Sequence, residues 1–198
     1  MGPAKRSGRQ RYCYGDYLLW QDDARWELID GIAYAMAPAP ALSHQEIVLG
    51  IASQALNAVA GSPCRVLIAP LDVRLPKPGQ DGQQCDTVVQ PDVLAVCDPN
   101  KLSERGVLGA PDWVVEVLSP RSASHDNILK RRLYEQVGVR EFWLVHPGDR
   151  LLFIYRLNDG GYGKPEVLPL EGSTPVGVLH GVTIDWSPII DLLPAIEP

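Results

Sequence analysis

Two acidic residues within apolar segments are the best candidates for chemistry in this chain. Asp92 lies in the run Gln90-Pro-Asp-Val-Leu-Ala-Val96, and Glu116 lies in the later run Asp112-Trp-Val-Val-Glu-Val-Leu118. Both runs are typical of buried strands, where a carboxylate is unfavourable unless a partner compensates its charge. If the two strands are neighbours and Lys130 is within reach, the two acids could share one divalent cation. The pattern therefore predicts a metal-dependent phosphodiesterase site.

The predicted cation is Mg²⁺ or Mn²⁺, because hard divalent cations prefer carboxylate and carbonyl oxygens as ligands. Asp92 and Glu116 would supply two carboxylates, and the main-chain carbonyl of Val117 would supply a third oxygen. Such a cation polarises a phosphate and lowers the pKa of a coordinated water. A nearby lysine such as Lys130 would orient that water and offset charge in the transition state.

The residues alone leave a structural interpretation open for both acids. Asp92 follows Pro91 and could belong to a turn that opens a strand, while Glu116 could face solvent or lie on an edge strand. The alternative for Glu116 is the weaker one, because the residues on both sides of it are apolar: Val114, Val115, Val117 and Leu118.

Lys130 lies on an amphipathic helix that we predict over residues 123–137, directly after the strand of Glu116. Asp126, Lys130 and Tyr134 are spaced four residues apart and share one face of that helix, so Asp126 and Tyr134 could orient the lysine. A solvated Asp–Lys pair on the helix surface has the same spacing, and the sequence does not decide between the two. The residues predicted to face inward are Ile128, Leu129, Leu133 and Val137.

Glu27 and His44 are candidates for supporting roles. Glu27 lies between Trp26 and Leu28, and a third acid close to the metal would serve as a ligand or would support one. It could also be an outward-facing residue of an alternating hairpin. His44 lies where a helix is predicted to begin, and could contact a phosphate or cap the helix.

The elements predicted to hold these residues mix hairpins with one strand–helix–strand crossover. A hairpin over 25–37 turns at Asp30-Gly31, a strong two-residue turn signal. A helix runs from Ser43, which forms a capping box with Glu46, to Gly61. The other predictions are a short helix at 14–22, strands near 64–75, 88–97, 112–118, 140–146, 150–157, 162–169 and 176–184, a short turn or helix near 188–193, and a polar loop at 98–110. This order predicts an α/β fold with a mixed sheet.

Length and charge limit the classes of protein to consider. The chain has 198 residues, which predicts a single domain over 12–198 after a basic tail at 1–11 that we expect to be disordered. Its net charge of −6 counts against extensive non-specific DNA binding. A local basic patch could still contact DNA, and its candidate members are Lys5, Arg6, Arg9, Arg11, Lys130, Arg131, Arg132 and Arg140.

The four cysteines and the hydropathy pattern predict a cytoplasmic protein. Cys13, Cys64, Cys85 and Cys97 are scattered and lack CxxC spacing, so we expect free thiols and no structural zinc. No apolar run of 18 or more residues occurs, so no membrane-spanning helix is expected. Neither a Walker A sequence nor a GxGxxG fingerprint is present, which argues against nucleotide-binding folds.

Several segments in a fixed order carry a resemblance to a known family. They are Trp26-Glu-Leu-Ile-Asp-Gly31, Ser43-His44, Gln90-Pro-Asp-Val93, Val115-Glu-Val-Leu-Ser-Pro120, Asp126 with Lys130 and Tyr134, and Gly138-Val-Arg-Glu-Phe-Trp-Leu-Val145. Together they resemble the PD-(D/E)XK nuclease superfamily and, more narrowly, the Uma-two family of restriction-endonuclease-like proteins. Each segment alone is weak, but their order and spacing are specific and extend over nearly the whole chain.

The resemblance implies a restriction-endonuclease-like core, in which a central mixed β-sheet is flanked by α-helices and the acids lie on adjacent strands. Asp92 then matches the aspartate of the motif, Glu116 matches its (D/E), and Glu27 matches an acid near the site. The superfamily lysine normally lies two positions after the second acid, where this chain has Leu118. The family places the lysine on the following helix instead, which is Lys130 here.

Two functions of different classes follow from these observations. The first is a metal-dependent endonuclease that hydrolyses DNA phosphodiester bonds, expected as a homodimer because two sites cut two strands most easily. The second is a catalytically silent nuclease-fold protein that acts as a binding or assembly module. The acidic net charge favours the second modestly, while the retained set of buried acids and lysine favours the enzyme.

Overall fold

The computed structural model describes residues 11–21, 24–36, 41–118 and 125–194, without the side chains of 125–127. The helices are α1 (Tyr14–Tyr17), α2 (Leu42–Ala58), α3 (His125–Val137) and α4 (Ser187–Ile190), with a 3-10 turn at Pro99–Lys101. The strands are β1 (Trp26–Ile29), β2 (Ile32–Ala35), β3 (Arg65–Ile68), β4 (Val73–Arg74), β5 (Val88–Val89), β6 (Val93–Val96), β7 (Leu102–Ser103), β8 (Gly106–Leu108), β9 (Trp113–Val117), β10 (Glu141–His146), β11 (Leu151–Asn158), β12 (Gly161–Tyr162), β13 (Glu166–Pro169), β14 (Ser173–Pro175) and β15 (Thr183–Asp185). Across these ranges, none of the helices combines the length and apolar character needed to cross a membrane.

The strands form two larger sheets and one small hairpin. A seven-stranded sheet has the order β12-β11-β10-β9-β6-β3, with β13 also paired to β11, and a six-stranded sheet has the order β2-β1-β5-β4-β8-β7. The pairs β9–β10 and β4–β8 are parallel, and the other pairs are antiparallel. The predicted α/β fold with mixed sheets is therefore confirmed. Strand β6 begins directly after Asp92, and it pairs with β9, which contains Glu116.

Helices cover both faces of the seven-stranded sheet. Because side chains alternate along a strand, Trp113, Val115 and Val117 of β9 pack into one core cluster with residues of α2. Val114 and Leu118 pack on the other face, in a cluster that contains residues of α3. Glu116 shares the α3 face, and it is buried there rather than exposed to solvent.

The hairpin β1–β2 turns where the sequence indicates. Asp30 and Gly31 both have positive φ, 51° and 75°, which is the combination that a two-residue hairpin turn with the right twist requires. Helix α2 starts two residues earlier than predicted, with Ala41 instead of Ser43 as its N-cap and no side-chain capping bond. The predicted capping box of Ser43 and Glu46 is therefore wrong, because Ser43 already lies inside the first turn.

Two strands predicted as continuous are each divided between the sheets. The 64–75 segment forms β3 in one sheet and β4 in the other, and the 88–97 segment forms β5 and β6. The second break falls at Gln90-Pro-Asp92, where Pro91 has no N–H for a strand ladder. The chain thus changes sheets directly before and at Asp92.

Other differences concern segments away from the acids. The predicted loop at 98–110 contains the hairpin β7–β8. Of the predicted strand at 176–184, residues 176–182 form the connection between β14 and β15, and only the last two residues lie in β15. Ile128, which was predicted to face inward, is 54% exposed. The buried face of α3 is therefore rotated away from Ile128.

A disulfide contradicts the expectation of four free thiols. Cys64 is bonded to Cys97, while Cys13 and Cys85 are free. Strand β3 pairs with β6 so that Arg65 lies opposite Val96, and the next pair outward is Cys64 and Cys97. The pairing depends on strand register, which cysteine spacing along the chain does not reveal.

Candidate active site

A buried lysine joins two buried glutamates from different sheets. The Nζ atom of Lys130 lies 3.1 Å from Oε1 of Glu27 and 3.1 Å from Oε1 of Glu116. The three residues are 6%, 4% and 8% exposed, respectively. The structural alternatives of a solvated Lys130 and of outward-facing glutamates are therefore wrong.

Each of these three side chains is positioned by a different element. Glu116 lies in β9, which is paired on both sides, to β6 and to β10. Glu27 comes from β1 of the six-stranded sheet, opposite Tyr34 of β2. Lys130 comes from α3, on the face that also buries Leu133 and Tyr134. The site is therefore formed where the two sheets and α3 meet.

Neutral donors hold both glutamates in place. The hydroxyl of Tyr134 donates to Oε1 of Glu116 at 2.6 Å, and this is the same oxygen that accepts from Lys130. The main-chain N–H of Gln90 donates to Oε1 of Glu27 at 2.8 Å. These bonds leave little rotational freedom in either carboxylate.

Burial raises the pKa of the Glu116 carboxyl from 4.5 to about 8. The negative charges of Asp92 and Glu27 raise this pKa as well, while the Lys130 charge and the Tyr134 hydrogen bond lower it. In this environment the neutral form of Glu116 is favoured at pH 7. Burial, with the charges of the neighbouring acids, thus outweighs the stabilising effect of Lys130 on the Glu116 carboxylate.

Asp92 lies beside Glu116 and supplies a hydrogen-bond acceptor at the edge of strand β9. Its Oδ2 accepts from the main-chain N–H of Val117 at 2.8 Å. In the β6–β9 register, Val93 lies opposite Val115, so Val117 lies opposite Pro91, where β6 has not yet begun. Asp92 therefore accepts the N–H that would otherwise lack a strand partner.

The Val117 carbonyl faces the same edge as its N–H, because the N–H and C=O of one residue in an antiparallel pair point to the same neighbour. Its predicted position beside Asp92 and Glu116 is thus compatible with the strand geometry. Its role as a metal ligand stays a prediction.

His44 contacts Asp92 instead of capping helix α2. Its Nε2 lies 3.2 Å from Oδ2 of Asp92, and the residue is 8% exposed. Its Nδ1 is buried and has no hydrogen-bond partner among the residues that the structure describes. His44 therefore stands next to one of the two predicted metal-binding carboxylates.

The structure brings together Glu27, Asp92, Glu116, Lys130, Tyr134 and His44, but the side chain of Asp126 lies outside the described part. The sequence prediction missed Gln90, whose N–H holds Glu27. Gln90 lies directly before Pro91-Asp92, but a main-chain contact between two sheets leaves no pattern of residue types from which it could be predicted.

The donor set fits a hard divalent cation only in part. In the described ranges, no three His, Cys, Asp or Glu side chains form a group that could hold a metal ion by themselves. Mg²⁺ commonly uses one or two carboxylates together with waters and substrate phosphates. The two buried glutamates and the partly buried Asp92 also outnumber the one buried lysine, which leaves an excess of negative charge. Asp92 and Glu116 therefore fit the protein share of such a site.

Both the sequence and the fold of this chain are similar to those of known proteins. The model of the Uma2 (Uma-two) family, described as "Putative restriction endonuclease", matches residues 14–187. "Uncharacterized protein slr1290" from Synechocystis sp. is 29% identical over 149 residues, which is 74% of this chain and 74% of that protein. A crystal structure described as a putative nuclease belonging to DUF820, from Anabaena variabilis, superposes with a TM-score of 0.72 at 20% identity, covering 91% of this chain and 98% of that one. The family match spans both carboxylate strands and helix α3, while the structural likeness bears on the fold alone.

Proposed function

This chain belongs to the Uma2 family, and from that premise we propose that it is an endonuclease that hydrolyses DNA phosphodiester bonds with Mg²⁺ or Mn²⁺. The observation that carries the proposal is the buried Lys130 between Glu27 and Glu116, with Asp92 held beside them on the Val117 N–H. A buried acid excess of this kind is unfavourable in a purely structural site. It is useful where a cation and a phosphate must meet.

Asp92, Glu116 and the Val117 carbonyl would hold the cation. When bound, Mg²⁺ or Mn²⁺ supplies charge stabilisation for the phosphate and a lower pKa for coordinated water. The Glu116 carboxyl has to release its proton to serve as a ligand, since its pKa is raised to about 8. Loading of the site is therefore expected to improve as the pH rises toward 8.

Lys130 is the group that would act on the attacking water and on the phosphate. Two carboxyl oxygens lie 3.1 Å from its ammonium group and keep the lysine side chain fixed in the site. A fixed ammonium can orient a water molecule and offset negative charge on the transferring phosphoryl group. Glu27 and Tyr134 act as positioning residues, because Glu27 binds the lysine and Tyr134 binds Glu116.

The test of this function is cleavage of supercoiled plasmid and of single-stranded DNA with Mn²⁺, comparing wild type with Glu116→Gln. The control is Glu104→Gln, an exposed glutamate on the turn between β7 and β8. We expect the wild type and the control to cut and Glu116→Gln to be inactive. If none of the three cuts either substrate, the alternative of a binding or assembly module gains. Equal cutting by all three would assign the activity to another site or to a contaminant.

We also propose that the protein works as a homodimer, because cutting both strands of a duplex is easiest with two sites. Light scattering at the concentration of the cleavage assay should give twice the mass of the 198-residue chain. A monomeric mass for protein that is active on duplex DNA would contradict this proposal.

A further inference from the structure

Arg25 is an exposed arginine two residues before Glu27, directly before strand β1. Its guanidinium donates from Nη2 at 2.5 Å and from Nε at 3.2 Å to the side-chain oxygen of Gln90. The main-chain N–H of the same Gln90 donates to Glu27. One residue therefore joins the exposed guanidinium to a buried carboxylate of the candidate site.

Gln90 is itself held rigidly, so that the orientation of its amide is fixed. It is 7% exposed, and its Nε2 donates to Oδ1 of Asp72 at 2.9 Å and to the Tyr17 hydroxyl at 3.4 Å. Asp72 also accepts from the hydroxyls of Tyr14 and Tyr17, each at 3.3 Å. With its nitrogen engaged by these groups, the amide oxygen of Gln90 must face Arg25.

A cationic side chain at the rim of the site would favour the approach of a phosphodiester. A phosphodiester is an anion, and it would approach two buried glutamates and the partly buried Asp92 in a protein of net charge −6. Lys130 lies inside the site between Glu27 and Glu116. Arg25 is exposed, its bonds to Gln90 use Nε and Nη2, and its Nη1 has no acceptor within the part of the chain that the structure describes. A planar guanidinium suits phosphate oxygens better than an ammonium does.

We infer that Arg25 binds a backbone phosphate of the nucleic-acid substrate next to the scissile one, and that Gln90 positions its guanidinium. This inference rests on the proposed function, since it names a substrate contact of the same site. In this scheme Arg25 contributes to binding and to register along the strand, and it does not take part in the chemical step.

The experiment measures DNA binding and cleavage for wild type, Arg25→Ala, Arg25→Lys and Arg65→Ala. Arg65 is the matched control, because it is exposed on β3 at the end of β6 that is remote from Asp92. Binding is followed by fluorescence anisotropy of a labelled single strand and a labelled duplex over a range of salt concentrations. Cleavage with Mn²⁺ gives KM and kcat, and thermal melts establish that each variant is folded.

We expect Arg25→Ala to weaken binding about tenfold, the scale of one charge-assisted contact. The slope of log affinity against log salt should fall by about 0.7–0.9, the value for one phosphate contact. KM should rise with kcat unchanged, and Arg25→Lys should recover the salt slope but only part of the affinity, because it keeps the charge and loses the planar fork. Arg65→Ala should match wild type.

Other outcomes separate this inference from the proposed function. If wild type cuts DNA but Arg25→Ala has an unchanged salt slope and KM, the phosphate contact is wrong and the nuclease stands. If Arg25→Ala lowers kcat at constant KM, Arg25 acts through Gln90 on Glu27, and the inference is again overturned. If wild type binds DNA without cutting it, the slopes still decide the role of Arg25. If wild type neither cuts nor binds, the proposed function fails and this inference fails with it.

Discussion

Glu116 on β9 and Glu141 on the neighbouring β10 are both buried glutamates of the seven-stranded sheet, but their surroundings differ. Glu141 is 0% exposed and accepts from the indole N–H of Trp143 at 2.6 Å, from the N–H of Gly177 at 3.2 Å and from Arg156 at 3.4 Å. Two neutral donors and one guanidinium thus surround a single carboxylate. This is the usual arrangement of a satisfied structural anion.

Glu116 instead stands among other acids. Asp92 and Glu27 raise its pKa through their charges, and the one lysine that it contacts is shared with Glu27. Burial of a glutamate in this sheet is therefore not in itself a sign of function. The sign is that several carboxylates converge on fewer cations than would neutralise them, which is costly for folding and useful for binding a divalent cation.

The largest expected difference between the two glutamates is in activity. We predict that Glu116→Gln lowers kcat/KM for DNA cleavage by about 10²- to 10⁴-fold, because the loss of a proposed metal ligand would remove several kcal/mol of transition-state stabilisation. Glu141→Gln should retain cleavage within about twofold per folded molecule, since it touches no predicted ligand. Steady-state kinetics with Mn²⁺, normalised to the folded fraction, measure both. Equal losses in the two variants would remove the distinction drawn between them.

The second difference is in stability, where Glu141 is the residue whose substitution we expect to be costly. Glu141→Ala leaves the Trp143 and Gly177 N–H groups without their acceptor, so we predict a loss of about 2–4 kcal/mol in the free energy of unfolding. The control Glu166→Ala removes only the exposed partner of Arg156 and should cost less than about 1 kcal/mol. Urea unfolding gives both values. A change below 1 kcal/mol for Glu141→Ala would mean that water replaces the carboxylate.

The candidate site also shows what the sequence could and could not predict. Asp92 and Glu116 stand out because β-branched neighbours indicate buried strands, and the fold class follows from the same runs. The side on which Lys130 lies could not be predicted, since the apolar residues of α3 were compatible with either face and Ile128 is in fact exposed. Amphipathic spacing alone does not say that a lysine is drawn inward by two acids from strands distant in the chain.

Contacts set by register were likewise beyond the sequence. The change of sheet at Gln90-Pro-Asp92 places the Asp92 carboxylate where it accepts the Val117 N–H, and the β3–β6 pairing places Cys64 opposite Cys97. Both depend on which strands pair and in what alignment, which local patterns do not determine. The bond from the Gln90 N–H to Glu27 belongs to the same class.

The third difference is in the pH dependence of stability. Folded protein holds the Glu116 proton up to about pH 8, whereas an ordinary glutamate releases it near 4.5. Between these values the native state binds more protons than the unfolded state, so this contribution is fully present below pH 4.5 and is lost as the pH rises through 8. Glu116→Gln cannot titrate, and it should gain roughly 1–3 kcal/mol relative to wild type between pH 4.5 and 8. Denaturant unfolding at several pH values measures this difference, and a difference that stays flat would refute the raised pKa.

The smallest expected effect is metal binding measured without substrate. We predict that Mn²⁺ raises the melting temperature of wild type by about 2–8 °C, which corresponds to a cation at up to about a hundred times its dissociation constant. Asp92→Asn and Glu116→Gln should abolish the shift, and Glu141→Gln should keep it, because only the first two lose a predicted ligand. The wild-type shift should grow from pH 6 to pH 8, since the cation competes with the proton on Glu116. A shift that survives in Glu116→Gln would place the cation away from the acid cluster. Glu116 and Glu141 would then differ in the charges around them but not in metal binding.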